Sequence, residues 1–133
     1  MLISYELNAN ESNTVPFNLD TPSNVLSFGI NDNTLSFDLN LLQKDVDVVI
    51  TIGQNVNGQL LENGLYTVAE LVIPAKKYIF VDTHELDESD NPIIEQHVLP
   101  LDVENIKLTL WQLSFALEEQ TSDDIFNKQH GLN

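Results

Sequence analysis

Hydrophobic and polar residues alternate with a period of two along most of the chain, which is the pattern of half-buried β-strands. A two-residue turn at Asp32-Asn33 would place the alternating residues on one face of a hairpin, with Phe28 opposite Phe37. The segment therefore predicts a β-hairpin in which these two rings are buried neighbours. The apolar positions of this hairpin are Leu26, Phe28, Ile30, Leu35, Phe37 and Leu39.

Similar alternation predicts further strands, at residues 2–7, 45–52, 65–73, 78–86, 93–101 and 106–115. Asn57-Gly58 and Asn63-Gly64 are turn dipeptides between them. The apolar face of the strand at 106–115 changes sides midway, and we expect a β-bulge near Leu110 to accommodate the change. In the strand at 45–52, the residues expected to face inward are Val46, Val48, Ile50 and Ile52.

Only the C-terminus carries helix signals. Thr121 and Asp124 have the spacing of a capping box, and Gly131 occupies a position that suits a C′ glycine. These signals predict a short helix over about 121–131, followed by a tail at 132–133. The sequence as a whole predicts an all-β fold in a single domain over residues 1–133. Its architecture is expected to be a β-sandwich or a partly open barrel of about eight or nine short, mostly antiparallel strands.

Charge narrows the range of ligands. The chain has 21 acidic residues against five lysines and no arginine, which gives a formal net charge of −16. Arginine is the usual reader of phosphates and guanine edges, and a strongly negative field repels nucleic acids and acidic lipids. We therefore expect no nucleic-acid and no membrane partner. The hydrophobic content of 42% is that of a folded domain, so the charge does not indicate disorder.

The chain has no cysteine, which excludes disulfides and thiolate chemistry. Its N-terminal residues show neither a basic flank nor an apolar core of a signal peptide, and no apolar run approaches the length of a membrane helix. These features predict a protein of the cytoplasm, or of a particle assembled there, that is not secreted by a signal peptide.

Candidate catalytic and metal-binding residues are sparse. With Leu86 beside Pro92, simple pairing places His84 opposite Ile94 and His97 opposite Val81, where we interpret both as ordinary strand histidines. The acidic run at 87–92 lacks the glycine and the distal glutamate of an EF-hand loop. Trp111 could stack on a sugar, although a single tryptophan in an apolar strand is more typical of a core. We expect no catalytic residues, no cofactor, no metal and no enzymatic activity.

The segment from Tyr78 to Leu101 differs from the other predicted strand pairs because its root is apolar on both faces and its tip is polar. Ile79, Val81 and Leu99 alternate onto one face, and Tyr78, Phe80 and Val98 onto the other. A strand pair that is apolar on both faces must be covered twice, which suggests an assembly arm. The candidate partner contacts on this hairpin are Asp82, His84, Glu85, Asp87, Glu88, Asp90 and Glu95.

These observations favour a non-enzymatic structural or adaptor subunit of a larger assembly, whose partners are other protein subunits in a homo- or hetero-oligomer. Small acidic β-domains of this kind are common among virion and tail components of bacterial viruses. One alternative is an acidic inhibitor that mimics nucleic acid and binds a basic host protein. A further alternative is a carbohydrate- or calcium-binding β module.

Overall fold

The computed structural model describes residues 1–117, and about half of the chain is in β-strands. No helix of this part is long and apolar enough to cross a membrane. The predicted C-terminal helix at 121–131 lies outside the described residues. In chain order the elements are β1 (Leu2–Tyr5), β2 (Phe17–Asp20), β3 (Val25–Ile30), β4 (Asn33–Asp38), α1 (Leu39–Leu42), β5 (Val48–Gln54), β6 (Leu60–Glu62), β7 (Tyr66–Ile73), β8 (Tyr78–Leu86), β9 (Pro92–Val98) and β10 (Lys107–Leu110).

The strands form three sheets. The largest has the order β1-β10-β7-β5-β6, the second has the order β2-β3-β4, and the third consists of β8 and β9 alone. All pairs are antiparallel except β1 with β10, which is parallel. The described part therefore has ten strands rather than the eight or nine expected. It contains several sheets and no closed barrel.

The hairpin of β3 and β4 has the predicted apolar face but not the predicted register. Phe28 pairs with Leu35, and Leu26 pairs with Phe37, because the turn lies at Asn31-Asp32 instead of Asp32-Asn33. A shift of two residues keeps every side chain on its face, so the rings of Phe28 and Phe37 are still buried and meet diagonally. Their centroids are 6.0 Å apart at an interplanar angle of 73°.

Asn33 accounts for the observed register of β3 and β4, because its side chain is hydrogen-bonded to backbone groups at the edge of the other sheet. Its Oδ1 accepts a hydrogen bond from the Leu60 N–H at 2.9 Å, and its Nδ2 donates to the Gly58 carbonyl at 3.1 Å. These contacts join β4 to β6. Satisfying two backbone groups in this way is more favourable than placing Asn33 in an exposed turn.

One cluster of buried side chains contains residues from both larger sheets. Leu26 and Phe28 enter it from β3, and Leu71 and Leu108 enter it from β7 and β10. Leu39 is the buried residue of α1, a single turn that begins at the N-cap Asp38, whose carboxylate accepts from the Leu41 N–H. The sequence analysis did not predict this helix.

Two predicted details of the five-stranded sheet are wrong. Val46 lies outside β5 and is exposed, so only Val48, Ile50 and Ile52 follow the expected inward pattern. The expected bulge near Leu110 is absent: β10 ends at Leu110, and its pairing with β7 over Lys107–Leu110 has no register shift. A register shift occurs instead between β5 and β7, at Ile52 and Gly53.

Candidate protein-interaction arm

The β8–β9 hairpin is a sheet of its own, and we call residues 78–98 the arm. Its strands pair with each other and with no other strand of the described chain. The arm begins at Tyr78, after β7 has ended at Ile73 and a short connection over 74–77, so it leaves from the end of the five-stranded sheet at which β7 finishes. An isolated two-stranded hairpin is marginally stable in water because it has little to pack against.

The root of the arm is tied to the segment that precedes β5. The Tyr78 hydroxyl donates a short hydrogen bond to the Asp45 carboxylate. Next to it, the Lys76 N–H donates to the Lys44 carbonyl at 2.8 Å. The hydrogen bond from Asp45 raises the pKa of Tyr78 above its usual value of 10.0, with smaller contributions from desolvation and from the negative charge of Asp45.

One face of the arm is an exposed apolar surface. Tyr78 pairs with Val98, and Ile94, which pairs with Asp82, lies four pairs farther along, on the same face as Phe80. Phe80 is 72% exposed, Val98 55% and Ile94 52%, so this face has no cover among the described residues. Large apolar groups this open to water on adjacent positions are typical of a surface that binds a partner.

The opposite face is smaller and better covered. Ile79 and Leu99 are exposed, whereas Val81 is half-buried. The two faces contain the residues that the sequence pattern predicted for each of them. Ile94 is an addition that was not singled out from the pattern, although alternation from Val98 already places it on the face of Phe80.

The irregularity lies at 83–85. Asp82 pairs with Ile94 and Leu86 with Pro92, so three residues of β8 face one residue of β9. His84 adopts a φ of 61°, and its N–H bonds back to the Asp82 carboxylate at 2.8 Å. The expected partners are therefore wrong for both histidines: Ile94 faces Asp82 rather than His84, and His97 faces Ile79 rather than Val81.

The tip is an ordered turn built on Asp87. Its carboxylate Oδ1 accepts hydrogen bonds from the N–H groups of Ser89 at 2.8 Å and Asn91 at 2.9 Å. The Asp90 N–H closes the turn on the Asp87 carbonyl at 3.0 Å. The Asp87 carboxylate therefore maintains the shape of the loop, while Glu88 and Asp90 remain exposed beside it.

All seven predicted contact residues lie on the arm and are exposed, but they do not converge on one point. Glu95 is paired with His97 at 2.9 Å, an ion pair when the histidine is protonated. Across residues 1–117, no group of three or more His, Asp or Glu side chains is placed to hold a metal ion. The arm presents a strip of separate carboxylates around an apolar face.

Sequence analysis did not find a second exposed surface, at the outer edge of β1. All four residues of β1 are exposed, including Leu2, Ile3 and Tyr5. The alternation in this strand suggested a half-buried element. It did not show that β1 is an edge strand, because strand order depends on pairing with a segment more than a hundred residues away.

Comparison of the chain with protein-family models, with curated proteins and with solved structures finds no match.

Proposed function

We propose that this protein is a non-enzymatic structural or adaptor subunit of a larger protein assembly, and that the arm is its contact with a neighbouring subunit. The setting we propose is a virion or tail particle of a bacterial virus, the class in which small acidic β-proteins without cysteine are common. This setting rests on class alone, whereas the role of the arm rests on its geometry.

The observation that supports the proposal is the exposed apolar face of the arm. Covering apolar surface contributes about 25 cal/mol per Å² of area removed from water. A neighbouring subunit packed on Phe80, Ile94 and Val98 would supply that stabilisation to a hairpin that is bonded to no other sheet of the described residues. The acidic residues around the face favour a partner with lysine or arginine at the corresponding positions.

The second candidate is an acidic inhibitor of a basic nucleic-acid-binding protein. It is supported by exposed Glu85, Glu88 and Asp90, since β8 and β9 contain no lysine or arginine. Binding of that kind would weaken steeply between low and moderate ionic strength, whereas burial of Phe80 and Ile94 would not. The exposed apolar face favours the assembly role, because a mimic of nucleic acid needs charge rather than apolar surface.

The experiment compares the natural chain with an arm variant, Phe80→Asn with Ile94→Asn, in the cells from which the gene comes. We expect the natural chain to sediment with a larger particle and the arm variant to sediment at the size of a free subunit. The matched control is Leu41→Asn with Val49→Asn, which removes two exposed apolar side chains away from the arm. Equal sedimentation of the natural chain and the arm variant would contradict the proposal.

We further propose that the two larger sheets pack face to face as a β-sandwich and that residues 1–133 form one domain. The buried cluster shared by both sheets supports this arrangement. Phe28→Ala in one sheet and Leu71→Ala in the other should each lower the temperature of the same single calorimetric transition. Two separate transitions, each sensitive to one substitution, would contradict it.

A further inference from the structure

At the outer edge of β1, side chains on the core face of the sheet remain partly exposed. Ile3 pairs with Leu108 and Tyr5 with Leu110, and both leucines are buried. Residues paired side by side project to the same face of a sheet, so Ile3 and Tyr5 lie on the core face. They are nevertheless 42% and 41% exposed, because no further strand of the described chain lies beyond β1.

The backbone of β1 is open along the same edge. The Leu2 N–H donates to the Ile106 carbonyl at 2.7 Å, and the Glu6 N–H donates to the Leu110 carbonyl at 2.9 Å. Alternate residues of a strand face alternate neighbours, so the N–H and C=O groups of Ile3 and Tyr5 point away from β10. Such an edge accepts an additional strand.

The arm contains a strand suited to this edge. β9 is regular over Pro92–Val98, whereas β8 is interrupted at 83–85. Its residues Ile94, Gln96 and Val98 project to one face. An added strand that sets Ile94 beside Ile3 sets Gln96 beside Tyr5 and Val98 beside Leu7. Within residues 1–117, the apolar face of the arm has no cover and the outer edge of β1 has no neighbouring strand.

The charges of the chain favour a second copy at this end of the sheet. Lys107 pairs with Leu2 of β1, and the other lysines of residues 1–117 lie just before β5 and just after β7. None of these lysines is within 4.0 Å of a carboxylate of the described residues. Elsewhere the described chain has acidic residues and no lysine. The charged groups at this end are Lys44, Lys76, Lys77 and Lys107, with Asp45, Asp47, Asp102 and Glu104.

Apart from the arm itself, the residues that flank these strand ends are four lysines and four acids, in a protein of net charge −16. The acidic tip of an arm meets lysines here, whereas it would meet like charge alone on the rest of the described surface. Phe115, close to the last described residue, contacts Tyr66 and bonds to Gln54, on strands away from the β1 edge.

We propose that the arm of one copy adds, through β9, to the β1 edge of a second copy, with the acidic tip directed to the Lys107 end. This inference rests on the proposed assembly role of the arm, and it identifies the partner as a second copy of the same chain. The two surfaces differ, so the contact is heterologous and repeats from copy to copy into a ring or a filament.

The test combines two variants of the purified protein that carry complementary defects. The arm variant, Phe80→Asn with Ile94→Asn, retains only the β1 edge. The edge variant, Tyr5→Pro, retains only the arm, because proline removes an outward N–H and leaves the bonds to β10 intact. If Tyr5→Pro fails to fold, Ile3→Glu serves as the second edge variant.

We expect light scattering to show growth of the natural chain with concentration and a monomer for each variant alone. An equal mixture of the two variants should form a one-to-one complex of twice the monomer mass. Leu41→Asn, which changes an exposed residue of α1, should assemble like the natural chain.

Two results would overturn the inference. Association of the arm variant alone would show that β1 edges pair with each other. A mixture that stays monomeric would show that another protein, or residues 118–133, occupies the edge. If the purified chain is monomeric while the arm variant still loses its particle in cells, only the identity of the partner is wrong and the proposed function stands.

Discussion

The side chain of Gln54 holds the backbone of Phe115 at both of its polar groups. Oε1 accepts from the Phe115 N–H at 3.1 Å, and Nε2 donates to the Phe115 carbonyl at 2.9 Å. Gln54 is fully buried and also bonds to the Ser114 N–H and the Gly58 carbonyl. This one amide therefore fastens the segment after β10 to β5.

Replacement of Gln54 should be among the most destabilising polar substitutions in the chain. In Gln54→Leu the part-buried N–H groups of Ser114 and Phe115 and the Phe115 carbonyl lose their partner, at about 1–3 kcal/mol for each group left unsatisfied, whereas the Gly58 carbonyl keeps its bond from Asn33. We expect a loss of about 3 kcal/mol or more in the free energy of unfolding, measured by urea denaturation. Gln112→Leu, at an exposed position on the same segment, should change it little.

Phe28→Ala should cost about 3–5 kcal/mol of unfolding free energy, because a fully buried ring is replaced by a cavity. Phe80→Ala is the matched control, since the same substitution on the arm removes a ring that is mostly exposed. We expect the melting temperature of the isolated protein to fall sharply for the first variant and hardly at all for the second. Similar losses for both would mean that the arm packs on the core in solution.

Salt should stabilise the fold. The carboxylates repel one another, and no lysine pairs with a carboxylate within residues 1–117 to offset the repulsion. Screening should therefore raise the melting temperature between about 10 mM and about 0.5 M NaCl. A lower melting temperature at high salt would indicate favourable ion pairs that the described residues do not show.

The hydroxyl of Tyr78 should titrate at a pH above 10, because its pKa is raised by Asp45. The neutral phenol is the form that the folded state favours, so this contribution to stability is present below pH 10 and is lost as the pH rises through the raised pKa. The measurement is tyrosinate absorbance against pH, with Tyr78→Phe identifying the signal. Asp45→Asn should lower this pKa, whereas Asp47→Asn should leave it unchanged, since Asp47 bonds to the Ala75 N–H.

The strands were largely predictable because each carries its own alternation, and β8 and β9 lie close to their expected positions. The register was not, since it depends on contacts remote in sequence. Nothing in the vicinity of Asn33 indicates that its amide binds Leu60, and this contact moves the turn by one residue at each end. The single turn of α1 was too short to produce a helical period, although Asp38 had the side chain of an N-cap.

For the arm, local pattern predicted which residues are apolar and acidic but not that the fold leaves them exposed. Whether a side chain is buried depends on the whole fold. The local sequence pattern around Phe80 is the same whether its ring packs against a sheet or faces water. The bulge at His84 illustrates a second limit, because a residue with positive φ shifts the pairing without any apolar residue to signal it. The exposed edge of β1 could not be predicted for the same reason, because the strand that lies at an edge is decided by the whole fold.

The parallel pairing of β1 with β10 sets an order of events during synthesis. β1 leaves the ribosome long before Lys107, so it has no partner strand until nearly all of the described chain has been made. The β3–β4 hairpin and the arm, whose contacts are local, can form much earlier. Ile3 and Tyr5 therefore remain unpaired with β10 during most of translation. Among the strands of the described chain, β1 is the one that a chaperone for short apolar strands could bind for the longest time.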